Sequence, residues 1–372
     1  MKLLPLTLIC FCCAVSISRA ADLGQFTTSR DIGNVKNTGS AEYDAERQIY
    51  EITGSGANMW FDKDEFQFVY RKLSGDFILR TRAHLIGKGV DPHRKIGWMI
   101  RTSLNTDSPY VDVAVHGDGL TSMQFRRTKG AETEQVESKL KGPDVIQLSR
   151  RSGKYVMSVA KYGDTLSSEE LTDIELGDEV YVGLFVCSHN ADVVEKAVFE
   201  NVRIIAPADP EFRPYRDYIG SHLEVIDLEK GHRRILHTVD DSLQAPNWTH
   251  DNKALIYNRD GLLYRFDLAS RKATRIDSGF ATQNNNDHVI SFDGKRLGIS
   301  HHTGDDRKSV IYTMPITGGT PKAITPLNAD SYLHSWSPDD THLIYTAQRN
   351  GDFDIYRIPS DGGEEVNLTN TK

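Results

Sequence analysis

Polar residues that could bind a metal or a polar ligand recur in the last third of the chain. His288 and His334 each stand two residues before a large apolar residue. Further polar residues lie nearby at Asn284, Asn285, Asn286, Asp287, His301 and His302. Imidazoles that converge on one axis could ligate a divalent metal such as Mn or Zn. The alternative is a channel lining in which these groups cap strand ends and bind water or a polar ligand.

The elements that must position these residues form a repeat. Aligning Trp248, Ile290 and Trp336 gives spacings of 42 and 46 residues. A second series, with spacings of 48 and 44, is marked by Tyr264, Tyr312 and Tyr356. A period in the forties with four short strands per unit is typical of β-propeller blades, which stack because one blade cannot bury both of its faces alone. A half unit at 221–237 precedes these copies, so the sequence predicts about three and a half blades.

The last copy carries the most complete set of marked positions. Segments 336–339, 354–356, 361–363 and 368–369 spell Trp-Ser-Pro-Asp, Asp-Ile-Tyr, Asp-Gly-Gly and Leu-Thr. This pattern resembles the TolB-type propeller repeat over about 155 residues, with Asp340 standing where that repeat has Gly. The resemblance implies a propeller that docks proteins of the bacterial cell envelope. TolB-like propellers generally have six blades, so we expect a truncated propeller at residues 218–372; completion by a second copy is the alternative.

A second resemblance bears on the histidines. The propellers of oligogalacturonate lyases are similar to the TolB type and hold a metal through histidines near the channel. This likeness implies a metal at His288 and His334 and, as the alternative function, a polysaccharide-acting enzyme. A propeller attached to a peptidase is a third hypothesis.

The part of the chain before the repeats has the pattern of an antiparallel β-sandwich. Gly75–Arg82, Tyr110–His116 and Lys154–Ala160 alternate apolar and polar residues with the period of two that a half-buried sheet requires. We predict a sandwich at residues 21–205. Three prolines follow within 206–214 and disfavour helix and central strand, which indicates a linker at residues 206–217.

This sandwich resembles the concanavalin A-like jelly-roll domains that accompany exported glycan-acting enzymes. The resemblance is carried by Trp60–Tyr70, Lys95–Arg101, Val115–Gly119 and Gln124–Arg126. It implies that aromatic rings and hydrogen-bonding side chains bind a sugar, with candidates Trp60, Trp98, Arg101, His116, Gln124 and Arg126. The alternative for each is a core or surface role. No carboxylate pair suited to glycoside hydrolysis is recognisable.

The N-terminus predicts export. Lys2 precedes an apolar run, Leu3–Ile17, and Ser18-Arg19-Ala20 forms a small-residue cleavage site, so residues 1–20 have the form of a cleaved signal peptide. Cleavage removes three cysteines and leaves Cys187 alone, which excludes an intramolecular disulfide in the mature chain. We therefore expect a periplasmic or secreted protein without a transmembrane segment.

Charge narrows the choice of partner. The chain has a net charge of −8, and loss of Lys2 and Arg19 makes the mature form more negative. An acidic chain without a basic cluster disfavours nucleic acid. The leading hypothesis is a non-catalytic envelope binding protein without a cofactor, whose partner is an envelope protein or a glycan.

Overall fold

The computed structural model describes residues 22–370, which consist of β-strands joined by turns and loops. The prediction of an all-β chain is confirmed for this part. The predicted signal peptide lies outside the described residues. No helix within 22–370 is long and apolar enough to cross a membrane. Two compact units divide between Pro207 and Ala208, inside the proline-rich segment.

In the first unit, residues 22–207 form fourteen strands in two antiparallel sheets. Its strands are β1 (Thr28–Ile32), β2 (Ser40–Asp44), β3 (Ile49–Gly54), β4 (Phe66–Leu73), β5 (Phe77–Leu85), β6 (Lys95–Arg101), β7 (Tyr110–His116), β8 (Thr121–Arg126), β9 (Glu134–Glu137), β10 (Val145–Arg151), β11 (Lys154–Ala160), β12 (Ser167–Leu171), β13 (Val180–Cys187) and β14 (Glu195–Ile205). Sheet 1 has the order β1-β4-β13-β6-β7-β8-β9, and sheet 2 the order β12-β11-β10-β5-β14-β3-β2.

The two sheets bury a common core, so this unit is a β-sandwich. Leu79 of sheet 2 and Trp98 of sheet 1 belong to one cluster of buried apolar side chains. In sheet 2, the inward residues of β5 are buried while Arg80 and His84 are exposed. This is the alternation expected of a sheet with one face in solvent.

Sheet 1 differs because its outer face is also buried. Every residue of β6, β7 and β8 is buried, and a second apolar cluster lies on the side away from sheet 2. Met59 and Leu104 come from the connections that pack onto this face. Two loops, 55–65 and 102–109, are joined there by a hydrogen bond from Asp64 N to Thr106 O of 2.9 Å. Polar side chains on this face are therefore enclosed between a sheet and loops.

In the second unit, the described residues 208–370 form one two-stranded and three four-stranded antiparallel sheets. The strands are β15 (Ser221–Asp227), β16 (His232–Val239), β17 (Gln244–Trp248), β18 (Ala254–Arg259), β19 (Leu262–Asp267), β20 (Lys272–Arg275), β21 (Asn284–Ile290), β22 (Arg296–Thr303), β23 (Lys308–Pro315), β24 (Lys322–Ala323), β25 (Ser331–Trp336), β26 (His342–Arg349), β27 (Asp352–Pro359) and β28 (Val366–Asn367). Each sheet follows chain order: β15-β16, β17-β18-β19-β20, β21-β22-β23-β24 and β25-β26-β27-β28. This matches the predicted three and a half blades.

The register repeats from sheet to sheet. The aligned positions 248, 290 and 336 pair with Leu255, Leu297 and Leu343 respectively. The aligned tyrosines at 264, 312 and 356 pair with positions 257, 299 and 345. The periodicity of the sequence thus corresponds to equivalent places in three sheets.

Apolar cores lie between consecutive sheets, as the blade hypothesis requires. One cluster joins Ile256 of β18 to Ile290 and Val310 of the next sheet. Another joins Ile311 of β23 to Trp336 of β25, whose Nε1 donates to Val289 O at 3.1 Å. Each sheet therefore buries a face against its neighbour.

A shared turn follows the first strand of each four-stranded sheet. Asn252, Gly294 and Asp340 occupy the same place and have φ values of 56°, 72° and 58°. Asn and Asp tolerate this left-handed conformation better than other residues with side chains. Asp340 can therefore stand where the TolB pattern has Gly, and its carboxylate accepts hydrogen bonds from Phe292 N and Asp293 N, both at 2.7 Å.

Candidate functional site

A pocket of about 420 Å³ opens on the outer face of sheet 1. Three of its lining residues are histidines and two are aromatic. The lining comprises Asn58, Trp60, Phe61, His93, Lys95, His116, Leu120, Gln124, Gln135 and His189. The volume falls in the range of about 300–1,000 Å³ that is usual for small-molecule sites.

Sheet register brings the inner residues of the pocket together. Lys95 of β6 pairs with His116 of β7, and Asp112 of β7 pairs with Gln124 of β8. All four side chains point away from the sandwich core, because residues of the same parity share a face. They are between 0% and 6% exposed, so they form the enclosed inner part of the pocket and its base.

Several polar atoms in this inner part have no hydrogen-bond partner within the described chain. They are Asp112 Oδ2, His116 Nδ1 and Gln124 Oε1. Gln124 Nε2 lies 3.4 Å from His116 Nε2, and Asp112 Oδ1 accepts from Gln124 N at 3.3 Å. Buried polar atoms are normally satisfied, and these three are available to hydrogen-bond a polar group that enters the pocket.

The imidazoles cluster around one side of the pocket. The ring of His93 lies 5.7 Å from that of His116 and 5.4 Å from that of His189. Burial lowers the pKa of His116 to about 3, and the nearby Lys95 charge acts in the same direction. Burial also lowers the pKa of His189, although Asp91, 3.4 Å away, opposes the effect. His116 and His189 are therefore neutral near pH 7, and each offers one donor and one acceptor.

Arg101 and Arg126 lie on the same face but do not line the pocket. Both are fully buried and both bind Asp64: Arg101 Nη2 lies 3.2 Å from Asp64 Oδ2, and Arg126 Nη2 lies 2.7 Å from Asp64 Oδ1. The sequence-based hypothesis that they contact a ligand is corrected by this placement. Their guanidinium groups instead form ion pairs with Asp64 in a buried structural network.

That network holds the loop that carries the pocket aromatics. Arg126 Nη2 donates to Phe61 O at 2.6 Å, and Tyr110 Oη donates to Met59 O at 2.9 Å. Thr133 N donates to Trp60 O at 3.2 Å. Backbone atoms of three consecutive loop residues are thus fixed by buried groups, which leaves the Trp60 and Phe61 side chains at the pocket.

Trp98 lies on the opposite face of β6 from the pocket. It is fully buried in the core between the sheets, and its ring centroid is 5.9 Å from that of Phe26. The alternation of a strand puts Trp98 inward whenever Lys95, Gly97 and Met99 face outward. The proposed sugar contact at Trp98 is therefore excluded by its position, and the core role applies.

Sequence reasoning selected Trp60, His116 and Gln124, which the structure brings together at the pocket, and missed the other lining residues. Missed were Asn58, Phe61, His93, Lys95, Leu120, Gln135 and His189. A lysine directly before the apolar residues 96–100 of the same strand was the available indication for Lys95. His93 and His189 lie in separate loops, and no local pattern links them.

A second pocket, of about 390 Å³, lies in the second unit. It is lined by Asn285, Asn286, Asp287, His302, Tyr332, His334 and Thr346. Pairing of β21 with β22 shifts between Asn284 and His288, and pairing of β25 with β26 shifts between Leu333 and Ser335. Four lining residues, 285–287 and His334, therefore lie in β-bulges of neighbouring sheets. Bulges re-aim side chains near functional sites.

The same bulges separate His288 from His334. His288 pairs with Ile299, but the residue that pairs at the equivalent place in the last sheet is Leu333, opposite Tyr345. His288 is buried, with Nε2 3.2 Å from Ile256 O, whereas His334 is exposed and lies 3.0 Å from Thr346 Oγ1. The expectation that both imidazoles face one channel is thus corrected.

The remaining candidates of the second unit are divided between pocket and interior. Asn284 is buried, with Nδ2 donating to Gly261 O and Ala281 O at 2.8 Å each. His301 is buried, and its Nδ1 accepts from Gln283 N at 3.3 Å. Within residues 22–370 no group of three His, Cys, Asp or Glu side chains could hold a metal ion. The residues present therefore do not fit the Mn or Zn site of the alternative hypothesis.

Asp287 gives the second pocket an acidic character. Burial raises the pKa of its carboxyl group, and the neighbouring His334 opposes this shift. Two amides and two histidines surround it. The pocket can offer donors and acceptors to a polar group, and none of the described residues that line it is a lysine or an arginine.

The known proteins named below are each similar to part of this chain. No protein-family profile matches it. An uncharacterized protein of Agrobacterium fabrum is 42% identical over 150 residues, which are 40% of this chain and 50% of that protein. A candidate TolB of Agrobacterium tumefaciens with a solved structure is 41% identical, covering 41% of this chain and 55% of the other, with a TM-score of 0.38. The carbohydrate-binding module CBM66 of Bacillus subtilis is 13% identical, covering 49% and 98%, with a TM-score of 0.33.

The chain therefore spans about half the length of the curated relative that it matches. These similarities stand beside a fold composed of a β-sandwich and a series of stacked antiparallel sheets.

Proposed function

We propose that this protein is an exported, non-catalytic binding protein of the cell envelope. Its sandwich binds a carbohydrate in the pocket on sheet 1, and its stacked sheets provide a second recognition surface for an envelope protein or another polar ligand. The sequence at residues 1–20 supports export, since it has the three parts of a signal peptide.

The observation that carries the proposal is the composition of the sandwich pocket. Trp60 and Phe61 stand at its edge, while His116 and Gln124 present polar atoms from its enclosed part. A sugar has an apolar ring face and a periphery of hydroxyl groups. Aromatic side chains match the first, and unpartnered amide and imidazole atoms match the second.

Binding is a better fit than glycoside hydrolysis. Hydrolysis generally needs two carboxyl groups on either side of the scissile bond. No Asp or Glu is among the described residues that line the pocket. Asp112, on the same face of β7 as His116, is fully buried, and Asp91 lies 3.4 Å from the lining residue His189.

The second unit supports a docking role through the pocket built from bulges. It presents Asp287, His334 and adjacent amides where two sheets meet. A partner that places donors against Asp287 would complement this surface. The net charge of −8 favours a partner that is not strongly acidic.

The test of carbohydrate binding uses the purified mature protein on a glycan array, followed by titration calorimetry with the best ligand. Trp60→Ala should weaken binding at least tenfold, since the loss of one aromatic platform costs about 1.4 kcal/mol or more. Trp248→Ala is the matched control, because Trp248 is 47% exposed in the second unit. Equal loss in both variants, or no glycan bound by the wild type, would refute the proposal.

A further inference from the structure

The charge of Lys95 has no direct partner in the described protein. Lys95 begins β6, lines the sandwich pocket and is 1% exposed. Its Nζ makes no hydrogen bond and no ion pair with residues 22–370. A buried ammonium group normally has both, because its transfer from water costs several kcal/mol. Burial accordingly lowers the pKa of Lys95.

The acidic groups around Lys95 are bonded to other residues, as Asp112 is to Gln124 N, and within residues 22–370 none of them lies within ion-pair distance of its Nζ. Asp64 is held by Arg101 and Arg126, and Asp91 lies 3.4 Å from His189. Burial raises the pKa of Asp112 well above its usual range. The thiol of Cys187, which pairs with Lys95 across the sheet, stays protonated because burial raises its pKa to about 11. None of these groups supplies a close counter-ion.

We infer that the sandwich pocket selects a sugar that carries a carboxylate, a uronic acid unit, and that Lys95 binds this carboxylate. The inference rests on the proposed carbohydrate-binding function. An anion that enters the pocket meets a desolvated ammonium group, and such a pair is stronger in an enclosed site than in water. His116 and Gln124 lie beside Lys95 and can hydrogen-bond the carboxylate or adjacent hydroxyl groups.

The aromatic side chains at the opening of the pocket favour a carboxylate that belongs to a sugar over carboxylates of other molecules. Trp60 and Phe61 are fixed by their backbone atoms, so they offer pre-formed apolar surface at the opening. A uronic acid combines a ring face with a charged group at one end. The ring face would contact the aromatic side chains at the opening, and the charged group would reach the buried ammonium group of Lys95.

The decisive comparison is between a uronic acid and its methyl ester, which has nearly the same shape and no charge. The mature protein is titrated with oligomers of glucuronate, galacturonate and mannuronate, and with the methyl ester of each. We expect at least one acid to bind ten or more times tighter than its ester. Matched sulfated oligosaccharides form the third arm.

Lys95→Met tests the residue. Methionine fills a similar volume without charge, so the variant should fold and lose the preference for acid over ester. Lys154→Met is the control: Lys154 lies on β11 of the other sheet, is about half exposed and pairs with Glu170 at 3.0 Å. It should keep the preference.

The outcomes separate the two proposals. Tight binding of an acid, weak binding of its ester and loss of the difference in Lys95→Met support the inference. Equal binding of acid and ester, or retained selectivity in Lys95→Met, overturns the role of Lys95 and leaves carbohydrate binding standing. A sulfated sugar bound as tightly as the uronate overturns the assignment to a carboxylate. Binding of none of these oligosaccharides, while a neutral glycan on the array still binds, overturns only the inference; binding of no glycan on the array overturns both proposals.

Discussion

Arg126 fastens the backbone of Phe61 to sheet 1. Its Nη2 donates to the Phe61 carbonyl oxygen at 2.6 Å, and the same nitrogen lies 2.7 Å from Asp64 Oδ1. One buried guanidinium thus joins a strand, a carboxylate and the loop that forms the edge of the pocket.

Arg126→Gln should destabilise the protein and weaken glycan binding together. Loss of the guanidinium leaves Asp64 buried with Arg101 as its remaining ion-pair partner, and breaking such a network costs about 3–5 kcal/mol. Urea unfolding and calorimetric titration measure the two effects. Arg127→Gln is the control, because Arg127 is only partly buried, donates to Asp173 O at 2.8 Å, and has a pair with Glu134 that contributes less than about 1 kcal/mol. A fully stable Arg126→Gln variant would contradict the network.

Stability should fall between pH 7 and pH 5, in part through His116. Its pKa is lowered to about 3 in the folded protein, so below about pH 6.5 the unfolded chain takes up a proton that the folded protein does not. Stability is therefore lost as the pH falls, by about 2 kcal/mol at pH 5 for this group. In unfolding experiments between pH 7 and pH 5, the free energy of unfolding of the wild type should fall by about 2 kcal/mol more than that of His116→Gln.

The control for that measurement is His84→Gln, since His84 is exposed on sheet 2. Its stability should follow the wild-type pH dependence. An equal pH dependence in wild type and His116→Gln would show that His116 is protonated in the folded protein.

Lys95→Met should leave the free energy of unfolding unchanged or raise it. Lys95 is 1% exposed, and its ammonium group has no close partner within residues 22–370. Replacing a buried charged side chain by an apolar one is often neutral or stabilising. A gain in stability with a loss of uronate binding would show that the lysine is retained for function. Destabilisation by more than about 1 kcal/mol would instead indicate that Asp112 pairs with Lys95 in solution.

Asp340→Gly should loosen the turn at residues 292–293 in the preceding sheet and leave the turn that contains residue 340 undisturbed. The substitution suits the positive φ of this position but removes the acceptor of Phe292 N and Asp293 N. Hydrogen exchange at those two amides should become faster. Asn252→Gly, at the equivalent turn, is the control and should leave both amides protected. Unchanged protection in Asp340→Gly would contradict the contact.

Much of the fold follows from the sequence because alternation and repetition are local or periodic. The spacing of Trp248, Ile290 and Trp336 was enough to align three sheets, since each occupies the same register position. The strands of the sandwich followed in the same way from their period of two.

The two pockets were harder to predict from the sequence. They depend on which loops cover the outer face of a sheet and on where the pairing of two strands shifts at a β-bulge. Arg101, Arg126, His116 and Gln124 share one face of sheet 1, and only the covering loops divide them into network and pocket. A bulge at His334 breaks its equivalence with His288. Neither the loop packing nor the bulge has a signature in the spacing of residues.

The anchoring of loop 55–65 has a consequence for the diversification of this sandwich. Its backbone is tied down at Met59, Trp60, Phe61 and Asp64, while the side chains of Trp60 and Phe61 take no part in those ties. Exchange of these two side chains should alter which ligand is preferred while the scaffold keeps its shape. Natural variants or engineered libraries could therefore explore new specificities at two positions without rebuilding the domain.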